Sequence, residues 1–459
     1  MRNETGISGL PVGYRVVVIT LDAHSAGPCD RAAARLLADF PGLSVDVHAA
    51  AEWGENSQAL VEAKAAIATA DIILVNLLFL EEHVQAILPS LEARRAGCDA
   101  MAGVISDAAI VKLTRMGALD MLAPASGTMA LLKRLRGSSK PSSQNGESKM
   151  RMLRRLPKIL KYIPGKAQDL RAWFMVMQYW LGGSDTNIES MLRFLISRYC
   201  RIEAWQNCAA APPEDYPEVG LYHPDLPGKM TTDITALPVP QKPVATVGLL
   251  LMRSYVLSDD TAHYDAVIRN FEANGLKVIP AFAGGLDARP AIEGYFQGTA
   301  GVQIDAMVSL TGFSLVGGPA YNNSQAAIAL LENLDVPYIA AHPLEFQTLG
   351  QWANAEQGLG PIETTMLIAL PELDGATCPT VFAGRHGPEG CQGCLHKCQA
   401  AAQSRAMAPC HERIDSLAEK TLRAARLRQK RNHDKNVAIV LFGFPPNAGA
   451  TGTAAYLDV

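Results

Sequence analysis

Four cysteines stand close together toward the end of the chain: Cys391, Cys394, Cys398 and Cys410, in the order Cys-x2-Cys-x3-Cys-x11-Cys. Thiolates at such short spacing suit a four-cysteine site, either a [4Fe–4S] cluster or zinc. Gly390 and Gly393 let the backbone fold round an ion, and His396 and His411 offer replacement ligands for zinc. The bland alternative is a set of free thiols in a flexible loop. Four of the nine cysteines within twenty residues argue against it. The order differs from Cys-x3-Cys-x2-Cys, so no radical chemistry is read from it.

A second motif closes the chain, "VAIVLFGFPPNAGATGTAAYLDV" (437–459). It reads as strand, glycine loop and helix start, the arrangement that cradles phosphates in many proteins. The loop has no lysine, and its glycines fit neither Gly-x4-Gly-Lys-Ser/Thr nor Gly-x-Gly-x-x-Gly. No ATPase motif is found elsewhere. Phe444, Asn447, Gly449 and Gly452 are kept as candidates for contact with a ligand or partner. Polar residues near strand ends form a third set: Arg253, Ser254, His263, Tyr264, Thr311, Ser314 and His342. They are the residues expected to face a ligand crevice. His24, Glu81 and Glu82 also follow strands and read as solvated loop residues.

Alternating strands and helices must position these groups. The chain has 459 residues, 48% of them apolar and 19% charged, which suits sizeable buried cores. A net charge of -4 gives no nucleic-acid signal. No run approaches the length of a membrane span, and the N-terminus has no apolar leader. A cytoplasmic location is therefore expected, with thiols or metal ligands rather than disulfides. Residues 1–132 read as an α/β domain, from "RVVVITLD" through "DIILVNLLFL" to "DAMAGVISD". Strands alternating with helices of this length imply a parallel, doubly wound sheet, whose ligands bind beyond the carboxyl ends of its strands.

Residues 133–168 carry eleven Lys/Arg against one acid and read as a basic, flexible hinge. Residues 169–242 read as a helical, Pro-rich connector. Within it Trp173, Met177 and Trp180 share one helical face, either core or the wall of a pocket for a flat apolar ligand. Residues 243–376 read as a second α/β domain, with "VATVGLLLM", "LKVIPAF", "IDAMVSLTGF" and "VPYIAA" as strands. Residues 377–435 hold the cysteines and an amphipathic helix with Ile414, Leu417, Ala418, Thr421 and Ala425 on its apolar face. Residues 436–459 read as the start of a following domain. The fold class expected is α/β: two doubly wound parallel-sheet domains with a helical connector and a Cys-rich segment.

Four stretches together resemble one family: "MQYWLGGSDTNIESMLRF", "TAHYDAVIRNFEANGLKVIPAF", "MVSLTGFSLVGGPA" and "LFGFPPNAGATGTAAYLDV". They are similar to the large, porphyrin-binding H subunit of magnesium chelatase, and to its relative, the cobaltochelatase large subunit. Family members are much longer, so the chain looks like an N-terminal portion that is not active alone. The Cys-rich segment suggests the bacteriochlorophyll-type branch of photosynthetic bacteria. The resemblance implies insertion of Mg²⁺ into protoporphyrin IX, coupled to ATP hydrolysis by the separate AAA+ I and D subunits. The downstream Mg-protoporphyrin methyltransferase is a further expected partner. Cobaltochelatase, and a metal- or redox-sensing module built round the cysteines, are the alternatives. On this reading Arg253, His263, Tyr264 and the Phe444–Gly452 loop are the contact candidates, and the proton-accepting base is not assigned.

Overall fold

Val16, Val17, Val18 and Ile19 point alternately to the two faces of strand β1 (Tyr14–Thr20), and all four are fully buried. A strand with no polar face belongs inside a sheet covered on both sides. In the computed structural model, which describes residues 13–21, 25–53, 57–123, 160, 163–206, 208–298, 301–318, 321–388, 390–391 and 405–438, that is its position. Strands β2 (Leu43–Ala49), β3 (Ile72–Asn76) and β4 (Ala100–Val104) join it in the parallel order β2-β1-β3-β4. Two short antiparallel strands, β5 (Arg115–Met116) and β6 (Leu119–Asp120), finish the edge.

Helices α1 (Ala26–Leu36), α2 (Ser57–Thr69), α3 (Glu81–Arg94) and α4 (Ala108–Lys112) connect these strands. One face of the sheet packs Val17, Ile19, Ile73 and Val75 against α2 and α3. The other face packs Val16, Val18, Leu74 and Ala102 against α1 and two helices from farther along, α5 (Lys166–Gly182) and α6 (Asp185–Tyr199). The sequence reads α5 and α6 as a connector. They instead supply a missing layer of the first sheet, and the Trp173 indole donates to the Gly103 carbonyl at 2.9 Å. Gly183 ends α5 at φ 55°, and the Ser184 hydroxyl caps α6 by accepting from the Asn187 N–H at 3.2 Å.

The second sheet has eight strands: β7 (Val219–Tyr222), β8 (Met230–Thr231), β9 (Ala245–Met252), β10 (Leu276–Ala283), β13 (Ala306–Ser309), β16 (Tyr338–Thr348), β17 (Thr377–Arg385) and β18 (Ala408–Pro409), with two ribbons between them, β11 (Gln297–Gly298) with β12 (Gly301–Val302) and β14 (Gly317–Gly318) with β15 (Tyr321–Asn322). Its order is β18-β17-β16-β13-β9-β10-β7-β8, parallel from β17 to β10 and antiparallel at both edges. Helix α7 (Arg253–Leu257) follows β9 directly. One face packs on α8 (Ala262–Ala273), the other on α9 (Arg289–Tyr295) and α10 (Ser324–Leu334).

Helix α11 (His411–Gln429) buries Ile414, Leu417, Ala418, Thr421 and Ala425, the face expected from their spacing. That face lies on the second sheet, beside α8. The Cys-rich region therefore contributes β17, β18 and α11 to this sheet rather than standing apart from it. The Phe444–Gly452 loop lies outside the described residues, as does the hinge centre "GSSKPSSQNGES".

Arginines hold the two sheets together. Arg31 on α1 grips Asp185 with both arms, at 2.7 Å each, and reaches the Ser258 carbonyl of the second unit at 2.9 Å. Arg405 returns from the second unit to the Val47 carbonyl at 2.7 Å. Arg253 donates to the carbonyls of Pro217, Tyr216 and Leu181 at 2.8, 3.0 and 3.3 Å. Beside this seam Asp260 accepts from the Met407 N–H at 3.0 Å. Burial, reinforced by the charge of Glu345, pushes the Asp260 carboxyl up to about 7.

Two outcomes follow from this packing. A Cβ at Gly103 would stand 2.6 Å from the Ile110 carbonyl oxygen, a backbone atom that cannot swing aside. Gly103→Ala therefore costs about 1–3 kcal/mol, read as a lower midpoint in urea unfolding. Asp260 binds its proton more tightly folded than unfolded, so its contribution is full below the unfolded carboxyl range and is lost as pH rises through about 7. Thermal melts of the wild type should fall between pH 5 and pH 8, and Asp260→Asn should flatten that fall. An unchanged slope in the variant would exclude Asp260 as its source.

Candidate functional site

The carboxyl ends of both parallel sheets open onto the same cleft, a cavity of about 400 Å³. Leu21, Ala51, Leu77 and Ile105 reach it from the ends of β1, β2, β3 and β4. Met252, Ala283, Thr311 and Glu345 reach it from β9, β10, β13 and β16. Crevices beyond the carboxyl ends of parallel strands are where such sheets bind ligands, because there the loops diverge. Here two such edges face one another, and the volume lies in the range of small-molecule sites.

The walls are largely apolar. Trp180 and Leu181 come from the end of α5, Phe313 from the loop after β13, and Phe346 from β16. Phe79 and Leu286 remain 53% and 43% exposed. Leu77 and Ile105 are held at φ 55° and 45°, the left-handed region that side chains avoid, those branched at Cβ most of all. The Leu77 N–H donates to the Ile105 carbonyl at 2.9 Å, so the two unfavourable turns brace one another. Backbone strain of this kind, of order 1–3 kcal/mol per residue, is kept where surrounding packing enforces it and collects at ligand sites. Asn76, fully buried at the end of β3, orients its amide oxygen to the Trp180 indole N–H and its nitrogen to the Val104 carbonyl.

Among the described lining residues the charged side chains are Arg253 and Glu345. Both belong with helix α7: Arg253 starts it, and Tyr255, two residues on, donates its hydroxyl hydrogen to Glu345. The Glu345 carbonyl also accepts from Arg385 at 2.7 Å. Just beyond, buried Glu363 accepts from the Phe346 N–H at 3.1 Å and the Gln347 amide at 2.6 Å, which anchors the end of β16. Burial raises the Glu363 pKa above the usual carboxylate range.

Arg253, Ser254 and Thr311 line the cleft, as their positions after strands predict. His263 and Tyr264 do not: both are fully buried one layer behind it. Their rings lie 3.9 Å apart between centroids, His263 meets Tyr255 edge-on at 5.0 Å, and Phe382 stacks on His263 at 5.8 Å. The Tyr264 hydroxyl accepts from the N–H of Met252, a lining residue, at 3.2 Å. These rings support the floor of the cleft from behind. Ser314 is buried and donates to Asp374 at 2.5 Å. His342 is buried too, and burial drops its pKa to about 4, so it is neutral. Glu81 and Glu82 are exposed in the first turn of α3. His24 lies outside the described residues, as do Phe444, Asn447, Gly449 and Gly452.

Of the four cysteines, Cys391 and Cys410 are buried in one cluster with Leu344, Leu349 and Val381. Cys394 and Cys398 lie outside the described residues. Among the described residues no three His, Cys, Asp or Glu side chains gather as a metal site. None of the described helices is long and apolar enough to cross a membrane.

Sequence reasoning missed Tyr255 and Glu345. The strand read as "VPYIAA" continues through Pro343 to Thr348, with register shifts against β17. Carrying the strand past the proline would have put Glu345 near its carboxyl end. The Trp173–Trp180 stripe splits its work: Trp173 bonds the sheet, while Trp180 both packs in the core and walls the cleft.

Comparison with known proteins now gives this geometry a family. Residues 177–459 match the model for CobN/Magnesium Chelatase, and residues 15–174 match a Domain of unknown function (DUF3479). The chain is 64% identical over 458 residues to the magnesium-chelatase H subunit of Cereibacter sphaeroides, covering 99% of this chain and 38% of that protein. It is 61% identical over 451 residues to the magnesium-chelatase H subunit of Rhodobacter capsulatus, covering 98% and 38%. Against the aerobic cobaltochelatase CobN subunit of Pseudomonas aeruginosa it is 29% identical over 289 residues, covering 61% and 21%. The chain thus spans well under half the length of these relatives. It belongs to the CobN/magnesium chelatase family.

Proposed function

We propose that this chain forms part of the porphyrin-holding surface of a magnesium chelatase H subunit, and that the cleft between its two sheets takes one side of the ring. The observation that carries this reading is the cleft itself: apolar and aromatic walls, Trp180 among them, with Arg253 in the lining as a partner for a ring carboxylate. The reaction is insertion of Mg²⁺ into protoporphyrin IX in bacteriochlorophyll biosynthesis, in the cytoplasm. It requires loss of two pyrrole N–H protons and removal of water from an ion that dehydrates reluctantly. ATP is hydrolysed by the AAA+ partners, the I and D subunits, and the product passes to the methyltransferase. The chain does not insert metal alone. The 64% identity to a magnesium-chelatase relative, against 29% to CobN, favours magnesium over cobalt.

Burial of Cys391 and Cys410 in one cluster fits half of a four-thiolate site, with Cys394 and Cys398 in the segment between them. Such a site would hold a [4Fe–4S] cluster or zinc and stabilise the fold near the short helix Leu349–Asn354. Iron and zinc analysis of anaerobically prepared protein checks it, and absence of both metals removes it.

The porphyrin reading is tested by titrating the chain with protoporphyrin while following tryptophan fluorescence. Micromolar porphyrin should quench it, and Trp180→Phe should remove most of the quenching. Ala283→Trp, which fills the cleft, should weaken binding by about tenfold or more. A wild-type chain that shows no quenching excludes the cleft as a porphyrin site.

A further inference from the structure

We infer that the Glu345 carboxylate is the group of this cleft that meets the inner nitrogens of a bound tetrapyrrole, and the metal once it lies among them, with Tyr255 as its positioning residue. The inference rests on the porphyrin reading above and assigns a role to a residue within it.

The argument is one of complementarity. A porphyrin acid carries polarity in two places, its peripheral carboxylates and its central nitrogens. Among the described lining residues the cleft carries one cation, Arg253, and one carboxylate, Glu345. Arg253 suits the peripheral carboxylates. Glu345 repels them, and on the rest of the ligand it finds a favourable partner only at a pyrrole N–H or at a bound cation. A carboxylate facing apolar walls is costly unless hydrogen-bonded. Tyr255 supplies that bond, and buried Arg385 bonds the carbonyl of the same residue. Tyr255 is itself wedged edge-on against His263 and Tyr264, at 5.0 and 6.0 Å, so its hydroxyl has a fixed direction. Asp260 nearby holds its proton to about 7, partly because of the Glu345 charge.

The step balances simply. A pyrrole N–H bond breaks, its electron pair stays on nitrogen, and the proton forms an O–H bond on Glu345. The nitrogen pair is then available to a divalent cation, and the carboxyl returns its proton to water at the open mouth.

The test is an equilibrium titration of the 459-residue chain with zinc protoporphyrin and with metal-free protoporphyrin, read by tryptophan quenching and by the Soret band. The wild type should bind the zinc form about tenfold more tightly, since a carboxylate gains more from a bound cation than from a pyrrole N–H. Glu345→Gln should erase that preference and its Soret shift. Glu345→Asp should retain part of the preference, and Tyr255→Phe should reduce it. An unchanged preference in Glu345→Gln overturns the inference and leaves the porphyrin reading intact. So does equal weakening of both rings, which would mark a purely structural role, or a wild type without preference. A wild type that binds neither ring overturns both.

Discussion

Hydrogen bonds from arginine to main-chain carbonyls hold the carboxyl edges of two parallel sheets toward one another. Arg31, Arg253 and Arg405 each reach a carbonyl across the seam or its connector, at 2.9, 3.3 and 2.7 Å for Ser258, Leu181 and Val47. A guanidinium suits this role because its donors fan out in a plane and serve several acceptors at once. Arg31 and Asp185 are partly solvated, so their ion pair adds about 1 kcal/mol or less. The carbonyl contacts matter more as geometry: without them each sheet would present its own open edge to water.

Facing edges explain why the cleft is apolar. In a single doubly wound sheet the carboxyl edge is roofed only by loops, which are polar. Here each edge is roofed by the other. Loop residues such as Leu21, Leu77 and Phe313 then line one shared, half-sheltered cavity. The unfavourable turns at Leu77 and Ile105 fit the same account. They bend the chain sharply after β3 and β4, so that apolar side chains face the opposite sheet.

Local features of the fold were legible and long-range ones were not. Strand periods, the Gly183–Ser184 helix junction and the apolar face of α11 follow from neighbours within two turns. The docking of α5 and α6 on the first sheet depends on contacts such as Trp173 with Gly103, seventy positions apart. No local pattern separates that from a free-standing connector. In the site, rules about strand ends found Arg253, Ser254 and Thr311. They also drew in His263 and Tyr264, because a helix start after a strand looks the same whether its first turn faces ligand or core. Both turn inward, where Phe382 and Tyr255 close an aromatic stack. Glu345 escaped because the stretch read as a strand, "VPYIAA", ends at Ala341, whereas β16 runs on through Pro343 to Thr348 with register shifts in its pairing.

That hidden stack gives the cleft its polarity. Helix α7 is only five residues long, yet it carries both Arg253 and Tyr255. Its position is fixed from behind, since Tyr264 accepts from the Met252 N–H and His263 abuts Tyr255. A shift of this helix would therefore move the cationic contact and the support of Glu345 together. Arg253 is carried by this unit, and Glu345, on β16, is tied to it through the Tyr255 hydroxyl. The two charged groups of the described lining are thus linked through one buried aromatic stack rather than reaching in independently from solvent.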